Sequence, residues 1–393
     1  MSGTRIITKT IWRLSLISLC TDMASEMLYP VIPLYLKQAG YTMIAIGLLE
    51  GISEAIAGLS KGYFGAWSDG IKLRTPFIKI GYSISTFSKV LVALLPTLGG
   101  IFSARVIDRL GKGIRSAPRD ALLAQEANPE NRSAVFGFHR AMDTLGAVAG
   151  PSIAAAFLLL YPGNYAELFW IAAIPGLVVL FIFFGLRERK KEEWSPIVFP
   201  SWKNFLSYYS KSDPRFKKHL LLFMIFTLFN SSDVFLLLKV KETGAEDGLL
   251  LMLYIVYNAV FALAAWPAGI LADKLGIPRI LSIGFICFAI TYGAFGFSTN
   301  LLLFTVLFII YGIYAAAIES QMKTYLLQFV ESENRGAAIG LFTGFQSITL
   351  LFASILAGVI WQKFGAMYVF LPAAVVAAFL FFYFFIAAQK EKN

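Results

Sequence analysis

The sequence GAWSD at residues 65–69 returns 204 positions later as GILAD at residues 269–273, and this repetition decides the fold. A second pair agrees with it, because ENRSAVFG at 130–137 matches ENRGAAIG at 333–340 in five positions at an offset of 203. In each half, the GAWSD or GILAD stretch follows the second apolar segment. The stretch that begins with Glu-Asn-Arg precedes the fifth apolar segment. The sequence therefore predicts two copies of one structural unit.

The composition places these two units in a lipid bilayer. Hydrophobic residues make up 58% of the 393 residues and charged residues only 15%, whereas about a quarter of a soluble protein is charged. Apolar runs of about 20 residues can span a bilayer as helices. The run from Ile11 lacks a small-residue cleavage pattern, so we expect a spanning helix there and no cleavable signal peptide. Twelve spans are predicted, near residues 11–36, 44–66, 77–96, 98–118, 134–161, 168–186, 218–239, 248–271, 279–298, 301–325, 336–362 and 366–387.

Basic residues are distributed unevenly between the two sides of the membrane. If the N-terminus is cytoplasmic, most loop arginines and lysines are cytoplasmic too, including the dense cluster at 187–191. This asymmetry predicts that both termini are cytoplasmic. The net charge of +10 is then an orientation signal that faces anionic lipid, and nucleic acid is not an expected partner. We expect six-helix bundles at 1–186 and 218–393, joined by a cytoplasmic linker at 187–217.

These repeats and spans resemble the major facilitator superfamily over essentially the whole chain. That family carries the signature Gly-x-Leu-Ala-Asp-Arg-x-Gly-Arg-Lys after its second helix. Gly65, Asp69 and Arg74 fit it here, and Gly269 and Asp273 fit it in the second half. The resemblance implies an all-α membrane fold of twelve transmembrane helices in two pseudo-symmetric bundles, with a substrate site at their interface.

The resemblance also implies a conformational latch in this loop. An aspartate at a helix end can bind a neighbouring helix N-terminus, where free N–H groups and the helix dipole favour an anion. Asp69 would form this contact near Gly336 in one state and break it in the other. Lys72 departs from the signature, which has glycine at that position. An aspartate that only caps its own helix is the alternative interpretation.

The fifth predicted helix carries a glycine pattern of its own. Gly137, Gly146 and Gly150 are followed by Pro151, at the spacing of the family's antiporter motif. Glycine lets helices approach closely, and proline bends them. The motif resembles that of drug–proton exporters, although Ser-Ile-Ala-Ala at 152–155 contains no closing Gly-Gly pair. Generic small-residue packing is the alternative.

Charged residues inside the predicted spans are costly in a bilayer, so each requires a reason. Asp22 or Glu26 is predicted to carry a proton, with Glu54 as a second candidate. Arg105 is predicted to tune that carboxylate, because an arginine keeps its charge and can hold a neighbouring acid ionised. Structural salt bridges between helices are the alternative for part of this set. The candidate proton-coupling residues are Asp22, Glu26, Glu54, Arg105, Asp108, Arg109, His139, Arg140 and Asp143.

The second half contains fewer charges and more aromatic and amide side chains. Such a surface suits an amphiphilic substrate, although aromatic residues at helical spacing also pack the core or face lipid. The candidate substrate-binding residues are Glu50, Asp233, Tyr254, Tyr257, Asn258, Tyr311, Tyr314, Glu319 and Gln346.

These features predict a secondary transporter and not an enzyme. The sequence contains no ATP-binding loop, zinc-protease motif or serine-hydrolase elbow, and we expect no cofactor and no metal. We expect a monomer in a bacterial inner membrane, which exchanges protons for a small amphiphilic molecule and exports it. The alternative function is proton-coupled import of an anionic solute, such as an organic acid or siderophore-like chelate. Its candidate receptors are Lys61, Lys89, Arg105, Arg109 and Arg140.

Overall fold

A computed structural model describes most of the chain. The described residues are 7–127, 132–183, 186, 208–319, 321–331 and 334–390, without the side chains of 132–134 and 336. Most of the predicted linker, at 187–207, lies outside the described residues, as do residues 130, 131 and 333 of the second repeated stretch.

The described part of the chain is helical throughout its regular elements. The first half contains α1 (Lys9–Leu28), α2 (Val31–Gln38), α3 (Met43–Ile71), α4 (Thr75–Leu94), α5 (Leu98–Glu126), α6 (Arg132–Leu160) and α7 (Tyr165–Ile182). The second half contains α8 (Pro214–Phe229), α9 (Val234–Lys241), α10 (Asp247–Leu275), α11 (Ile277–Phe297), α12 (Leu301–Ile318), α13 (Gln321–Leu327), α14 (Arg335–Phe364) and α15 (Met367–Lys390).

The helix bounds repeat with the same offset as the sequence. The short helices α2 and α9 are both 8 residues long and lie 203 positions apart, and α3 and α10 are both 29 residues long and lie 204 positions apart. Thr97 accepts the Gly100 N–H at 3.2 Å to begin α5, and Asn300, 203 positions later, accepts the Leu302 N–H at 2.9 Å to begin α12. Both halves therefore follow one helical plan.

The loop after α3 and its counterpart after α10 both contain a residue with positive φ. Lys72 has φ of 52°, and Gly276, at the equivalent position 204 residues later, has φ of 88°. Both values lie in the left-handed region, which glycine enters without a steric penalty and lysine does not. The turn therefore requires a glycine-like conformation in both halves, and the first half adopts it with a lysine.

Length and composition make ten of the described helical stretches suitable for crossing a membrane. They include α3, α4, α6 and α7 from the first half, and in the second half α8 runs together with α9 and α12 with α13. Helices α1 and α5 occupy the positions of the first and fourth predicted spans, at 20 and 29 residues. Neither is among the ten, and both are rich in charged residues.

Contacts between residues divide the chain into two compact units. Unit 1 contains 1–35 and 52–200, and unit 2 contains 36–51 and 201–393. In unit 1, α1 packs along α6 and α4 packs along α5; in unit 2, α11 packs along α15 and α10 along α12. The core of unit 1 includes Ile11, Leu14, Ile78, Tyr82 and Val179, all almost fully buried.

Glycines set the helix contacts at equivalent places in the two units. A Cβ atom on Gly81 of α4 would lie 2.7 Å from the Cβ of Arg115 on α5. In unit 2, a Cβ on Gly284 of α11 would lie 2.5 Å from a side-chain carbon of Ile318 on α12. Gly284 and Ile318 lie 203 positions after Gly81 and Arg115. The same offset therefore relates the α4–α5 contact to the α11–α12 contact.

Candidate functional site

Helices α1 and α6 of unit 1 touch backbone to backbone at the glycines of the predicted antiporter motif. A Cβ on Gly146 would overlap the Leu19 carbonyl oxygen, and one on Gly150 would overlap the Met23 carbonyl oxygen. Around Gly137, by contrast, a Cβ would meet open space. Gly146 and Gly150 therefore hold α6 directly against the α1 segment that carries the predicted proton carriers.

Asp22 lies half-buried on that segment, among charges from two other helices. The side chains that act on it electrostatically are Lys112, Arg115 and Arg119 of α5 and Asp143 of α6. Three cations and one further carboxylate thus surround the predicted proton carrier.

Arg119 and His139 connect this group to the rest of unit 1. Arg119 donates to Ser18 Oγ at 3.0 Å and lies 3.9 Å from an Asp143 carboxylate oxygen. The His139 ring is buried, with Nδ1 3.2 Å from Ser15 Oγ and Nε2 3.6 Å from Asp143. His139 and Asp143 therefore belong to the same α1–α5–α6 cluster.

A second cluster surrounds the break between α1 and α2. Glu54 of α3 accepts from Arg109 of α5 at 2.9 Å. The guanidinium groups of Arg105 and Arg109 lie 5.3 and 5.8 Å from the centre of the Tyr29 ring, within cation–π range. Arg105 is thus placed on Tyr29, beside the Glu54–Arg109 pair.

A third group lies between α4 and α5. Lys89 forms a direct ion pair with Asp108, and both side chains are more than nine-tenths buried. Arg115 donates to Ser85 Oγ at 2.6 Å and lies over the Tyr82 ring at 4.6 Å. The sequence predicted Asp108 as a coupling residue but considered Lys89 only as an anion receptor. A lysine in an otherwise apolar span was the available signal, but its partner could not be read from spacing.

The remaining two predicted coupling residues lie on α1 and α6, and Arg140 acts electrostatically on His139. Glu26 is half-buried on α1, one turn beyond Asp22, while Arg140 is exposed on α6.

The two copies of the predicted latch differ in their packing. In the first, Asp69 pairs with Arg74 at 2.6 Å, and Arg74 also donates to Ser68 Oγ at 3.1 Å. A Cβ on Gly65 would approach the Cβ of Ala117 on α5 to 2.9 Å, so that α3 and α5 are close there. In the second copy Asp273 is exposed, and a Cβ on Gly269 would meet open space.

Unit 2 contains a carboxylate–tyrosine cluster at the break between α8 and α9. Tyr311 of α12 donates to Asp233 at 2.5 Å. Asn230 donates to the Tyr314 hydroxyl at 2.9 Å and accepts from Tyr292 at 3.4 Å. The sequence predicted Asp233, Tyr311 and Tyr314 but not Asn230 and Tyr292. The available signal for Asn230 was the polar stretch Asn-Ser-Ser-Asp at 230–233, which interrupts the span predicted at 218–239.

Aromatic rings extend this cluster toward α10. The ring centres of Tyr257 and Tyr311 are 5.1 Å apart, those of Tyr311 and Tyr314 are 5.0 Å apart, and those of Tyr254 and Tyr257 are 5.9 Å apart. Tyr311 and Tyr314 are buried, whereas Tyr257 and Asp233 are partly exposed. The partly exposed edge offers a carboxylate beside an aromatic face. Asn258 uses its amide N–H locally, to the Tyr254 carbonyl at 3.0 Å.

The remaining predicted substrate residues are spread over unit 2. Glu50 is fully buried and lies 3.5 Å from Ser232 Oγ, next to the α8–α9 break. Glu319 is exposed at the end of α12, and Gln346 is half-buried on α14. Within the described ranges, no group of three or more His, Cys, Asp or Glu side chains is arranged to hold a metal ion.

Comparison with known proteins identifies the family of this helical plan. The family model "Major Facilitator Superfamily" matches residues 14–255 and 219–393. The chain belongs to the major facilitator superfamily. It is therefore a multi-pass membrane protein of a transporter family and not an enzyme.

Relatives and solved structures agree with this assignment. The chain is 31% identical over 380 residues to the uncharacterized MFS-type transporter MJ1317 of Methanocaldococcus jannaschii, covering 95% of this chain and 93% of that protein. It is 22% identical over 338 residues to the uncharacterized protein Mb2288 of Mycobacterium bovis, covering 83% of this chain and 80% of that protein.

Two solved structures show the same fold at low sequence identity. A bacterial homolog of the human lysosomal transporter Spinster, inward-facing and occupied, superposes with a TM-score of 0.77 at 15% identity, covering 98% of each chain. The nucleoside transporter NupG superposes with a TM-score of 0.74 at 13% identity, covering 98% of this chain and 100% of that one. At these identities the likeness establishes the fold alone.

Proposed function

We propose that this superfamily member is a proton-coupled secondary transporter that exports a small amphiphilic molecule by alternating access. It spans the membrane twelve times, with bundles at 1–186 and 218–393, a linker at 187–217 and both termini cytoplasmic. The charged helices α1 and α5 supply the two spans beyond the ten apolar ones, because helices that bury charges inside a bundle need not be uniformly apolar. It works as a monomer in an inner membrane.

The observation that supports proton coupling is the position of Asp22 beside the glycine contact between α1 and α6. Gly146 and Gly150 press α6 against α1 on either side of this carboxylate. Protonation of Asp22 removes its attraction to the α5 cations Lys112, Arg115 and Arg119. A change of charge at Asp22 or Glu26 thereby alters the forces on the α1–α6 contact itself.

The tyrosine cluster of unit 2 supports an amphiphilic substrate that carries a basic nitrogen. Aromatic faces attract organic cations, and a neighbouring carboxylate strengthens that attraction. Asp233 and Tyr257 form the partly exposed edge of the cluster, and Tyr311 orients Asp233 by a hydrogen bond. We assign substrate contact to this edge and support to the buried tyrosines behind it.

The latch proposal concerns the loops after α3 and α10. Asp69 and Arg74 form a partly exposed ion pair that can break and re-form, and Gly65 keeps α3 close to α5 beside it. In the second half Asp273 is exposed and a Cβ on Gly269 would meet open space, so we assign these two residues a smaller role in the latch.

A flux assay in proteoliposomes tests the proposal. An imposed pH gradient should drive the movement of amphiphilic cations such as ethidium. Asp22→Asn should abolish the gradient dependence, whereas the control Lys211→Gln, at an exposed site before α8, should retain it. If no compound of a broad amphiphilic panel responds to the gradient, proton-coupled export is wrong.

A second candidate function is proton-coupled import of an anionic solute. It is favoured by the burial of four cations on α4 and α5 of unit 1, namely Lys89, Arg105, Arg109 and Arg115. Deleting the gene should raise the cellular content of the substrate of an exporter and lower that of an importer. Arg105→Gln should abolish anion binding in the import case and shift only the pH profile in the export case.

A further inference from the structure

The ends of α2, α9 and α14 meet at a polar cavity in unit 2. The cavity measures about 400 Å³, and its polar lining consists of Lys37, Lys239, Glu242, Trp361 and Gln362. Two ammonium groups and one carboxylate leave this lining with one surplus positive charge. A ligand that carries a single negative charge would neutralise it.

The lysines of this cavity are not closely paired within the protein. Glu242 accepts a hydrogen bond from Trp361 Nε1 at 2.9 Å, and its other carboxylate oxygen lies 3.8 Å from Lys239 Nζ, beyond hydrogen-bond range. The Lys37 ammonium group has no ion-pair or hydrogen-bond partner among the described residues. Lys37 and Lys239 therefore keep N–H donors available for a ligand.

The distribution of basic residues singles out these two lysines. On the side of the membrane proposed to be external, the loops contain Lys37, Lys239, Lys241 and Lys363, all within the ranges of unit 2. Basic residues are depleted from external loops, so those that are present require a reason. Lys241 pairs with Asp247 at 2.6 Å, and Lys363 is exposed. Of these four lysines, Lys37 and Lys239 are the two that line the cavity.

An apolar groove continues from the polar cavity along α15. The groove measures about 440 Å³ and is lined by Phe229 of α8 and by one face of α15 from Met367 to Val376, which covers about 14 Å of helix axis. Met367 lines both the cavity and the groove. Gly296 of α11 also lines the cavity, and a Cβ atom there would lie 3.4 Å from the side chain of Leu371 in the groove. The missing side chain leaves room where the two spaces meet.

We propose that unit 2 binds an anionic glycerophospholipid, with its phosphate between Lys37 and Lys239 and an acyl chain in the groove along α15. Basic pockets at the membrane surface bind lipid phosphate groups, and an apolar groove favours a hydrocarbon chain. A soluble anion would leave the groove unused, and a neutral lipid would leave the surplus charge of the cavity uncompensated. The inference rests on the proposed topology only for placing this lipid in the outer leaflet.

The bound headgroup would strengthen a junction between the two halves of the sequence. Lys37 belongs to the segment 36–51, which comes from the first half of the chain but packs in unit 2. Beside the cavity, Gln362 of α14 accepts the Met43 N–H at 3.1 Å, and a Cβ on Gly358 would overlap the Met43 carbonyl oxygen. A phosphate shared by Lys37 and Lys239 adds a link from α2 to α9 at this junction.

Native mass spectrometry of the purified, delipidated chain in detergent tests the site, with dioleoylphosphatidylglycerol as the probe. Lys37→Gln/Lys239→Gln should weaken binding of the first lipid molecule at least about tenfold, because two charged contacts with the phosphate are lost. The control Lys363→Gln removes an exposed lysine outside the cavity and should stay within about twofold of wild type. Unchanged binding in the double variant overturns the proposal.

Two competitors separate the lipid from simpler occupants. Dioleoylglycerol has the same chains without the phosphate, and inorganic phosphate has no chains, so each should bind at least about tenfold more weakly than the phospholipid. Equal binding of dioleoylglycerol would show that the lysines do not select the headgroup. Displacement of the lipid by inorganic phosphate at a comparable concentration would show a site for a soluble anion. Either result overturns the proposal.

A variant of the groove tests the position of the chain even if the lysine variants do not fold. Val375 is 69% exposed, so Val375→Trp fills the groove without entering the core and should weaken phospholipid binding at least about fivefold. Val306→Trp makes the same change at a 45% exposed position of α12 outside the groove and should stay within about twofold of wild type. Equal effects at the two positions would contradict a chain in this groove.

The thermal midpoint gives an independent measurement of the same binding. Phosphatidylglycerol should raise the midpoint of wild type and of Lys363→Gln, because a ligand that binds the folded state stabilises it, and should leave that of Lys37→Gln/Lys239→Gln unchanged. An equal rise in all three proteins would overturn the assignment of the lysines. None of these measurements involves transport, so a failure of proton-coupled export would leave the lipid site standing, and the reverse.

Discussion

At the scale of single residues, the clearest departure from an ordinary conformation is Lys72. Its φ of 52° places a side-chain-bearing residue in the left-handed region, which costs roughly 1–3 kcal/mol for residues other than glycine. The signature that Asp69 and Arg74 fit has glycine at this position, and the second half obeys it with Gly276.

Replacing Lys72 by glycine should therefore stabilise the protein. The strain relieved equals or exceeds the extra chain entropy that glycine loses on folding, about 0.5–1 kcal/mol, so we expect a net gain of about 0–2.5 kcal/mol and a higher thermal midpoint in detergent. Gly276→Ala is the mirror experiment and should lower the midpoint. A lower midpoint for Lys72→Gly would show that the lysine side chain contributes more than its backbone costs.

Glu54 provides a second prediction at this scale. Its carboxylate pairs with Arg109, whose side chain is 6% exposed, while that of Glu54 is 33% exposed. Glu54→Gln removes the charge that neutralises a buried guanidinium, and because Glu54 is partly solvated we expect a loss of about 2 kcal/mol, below the value for a fully buried pair.

The matched control is Asp69→Asn, which breaks a pair of similar length whose carboxylate is 65% exposed. Exposed pairs contribute about 0–1 kcal/mol, so its denaturation midpoint should stay near that of wild type. Equal losses in both variants would contradict the larger contribution to stability that we expect from the Glu54–Arg109 pair.

At the scale of helices, the α1–α6 contact depends on two positions without a side chain. Gly150→Val inserts three carbons where even a Cβ overlaps the Met23 carbonyl. We expect a loss of about 1–3 kcal/mol or more, the range for overpacked sites, together with loss of transport. Gly137→Ala on the same helix meets open space and should be neutral or stabilising, since alanine favours helix over glycine by up to about 1 kcal/mol. Thermal unfolding of both variants in one detergent gives the comparison.

The helices also show which features of the fold can be predicted from the sequence. Hydropathy and the repeat predicted where α3 and α10 lie, because both signals are local in the chain. The break between α8 and α9 was not predicted, although the four polar residues at 230–233 coincide with it. The partners of Asn230 and Asp233, which are Tyr314 and Tyr311, lie on another helix and could not be read from the sequence. Partners across helices are equally hidden: Lys89 and Asp108 are 19 residues apart, and no periodicity joins them.

At the scale of the whole molecule, the proposed topology can be tested by labelling single cysteines. Lys211 is exposed before α8, and Asn164 is exposed between α6 and α7. In a chain with Cys20 and Cys287 replaced by serine, Lys211→Cys should react with a membrane-impermeant maleimide only after the cells are opened. Asn164→Cys should react in intact cells. Labelling of both from the same side would refute twelve spans with cytoplasmic termini.

Because the two halves of the chain follow one helical plan, each half indicates substitutions that the other half can accept. Where the two halves share a structural position, each half shows a side chain that the same backbone accepts. Gly276 corresponds to Lys72 at the turn after α3, and Tyr292 and Tyr311 correspond to Lys89 and Asp108 in the contact between α4 and α5. Exchanging residues between such positions changes chemistry while keeping a geometry that evolution has already sampled. Thermostabilised or uncoupled variants of this protein can therefore be drafted from its own sequence.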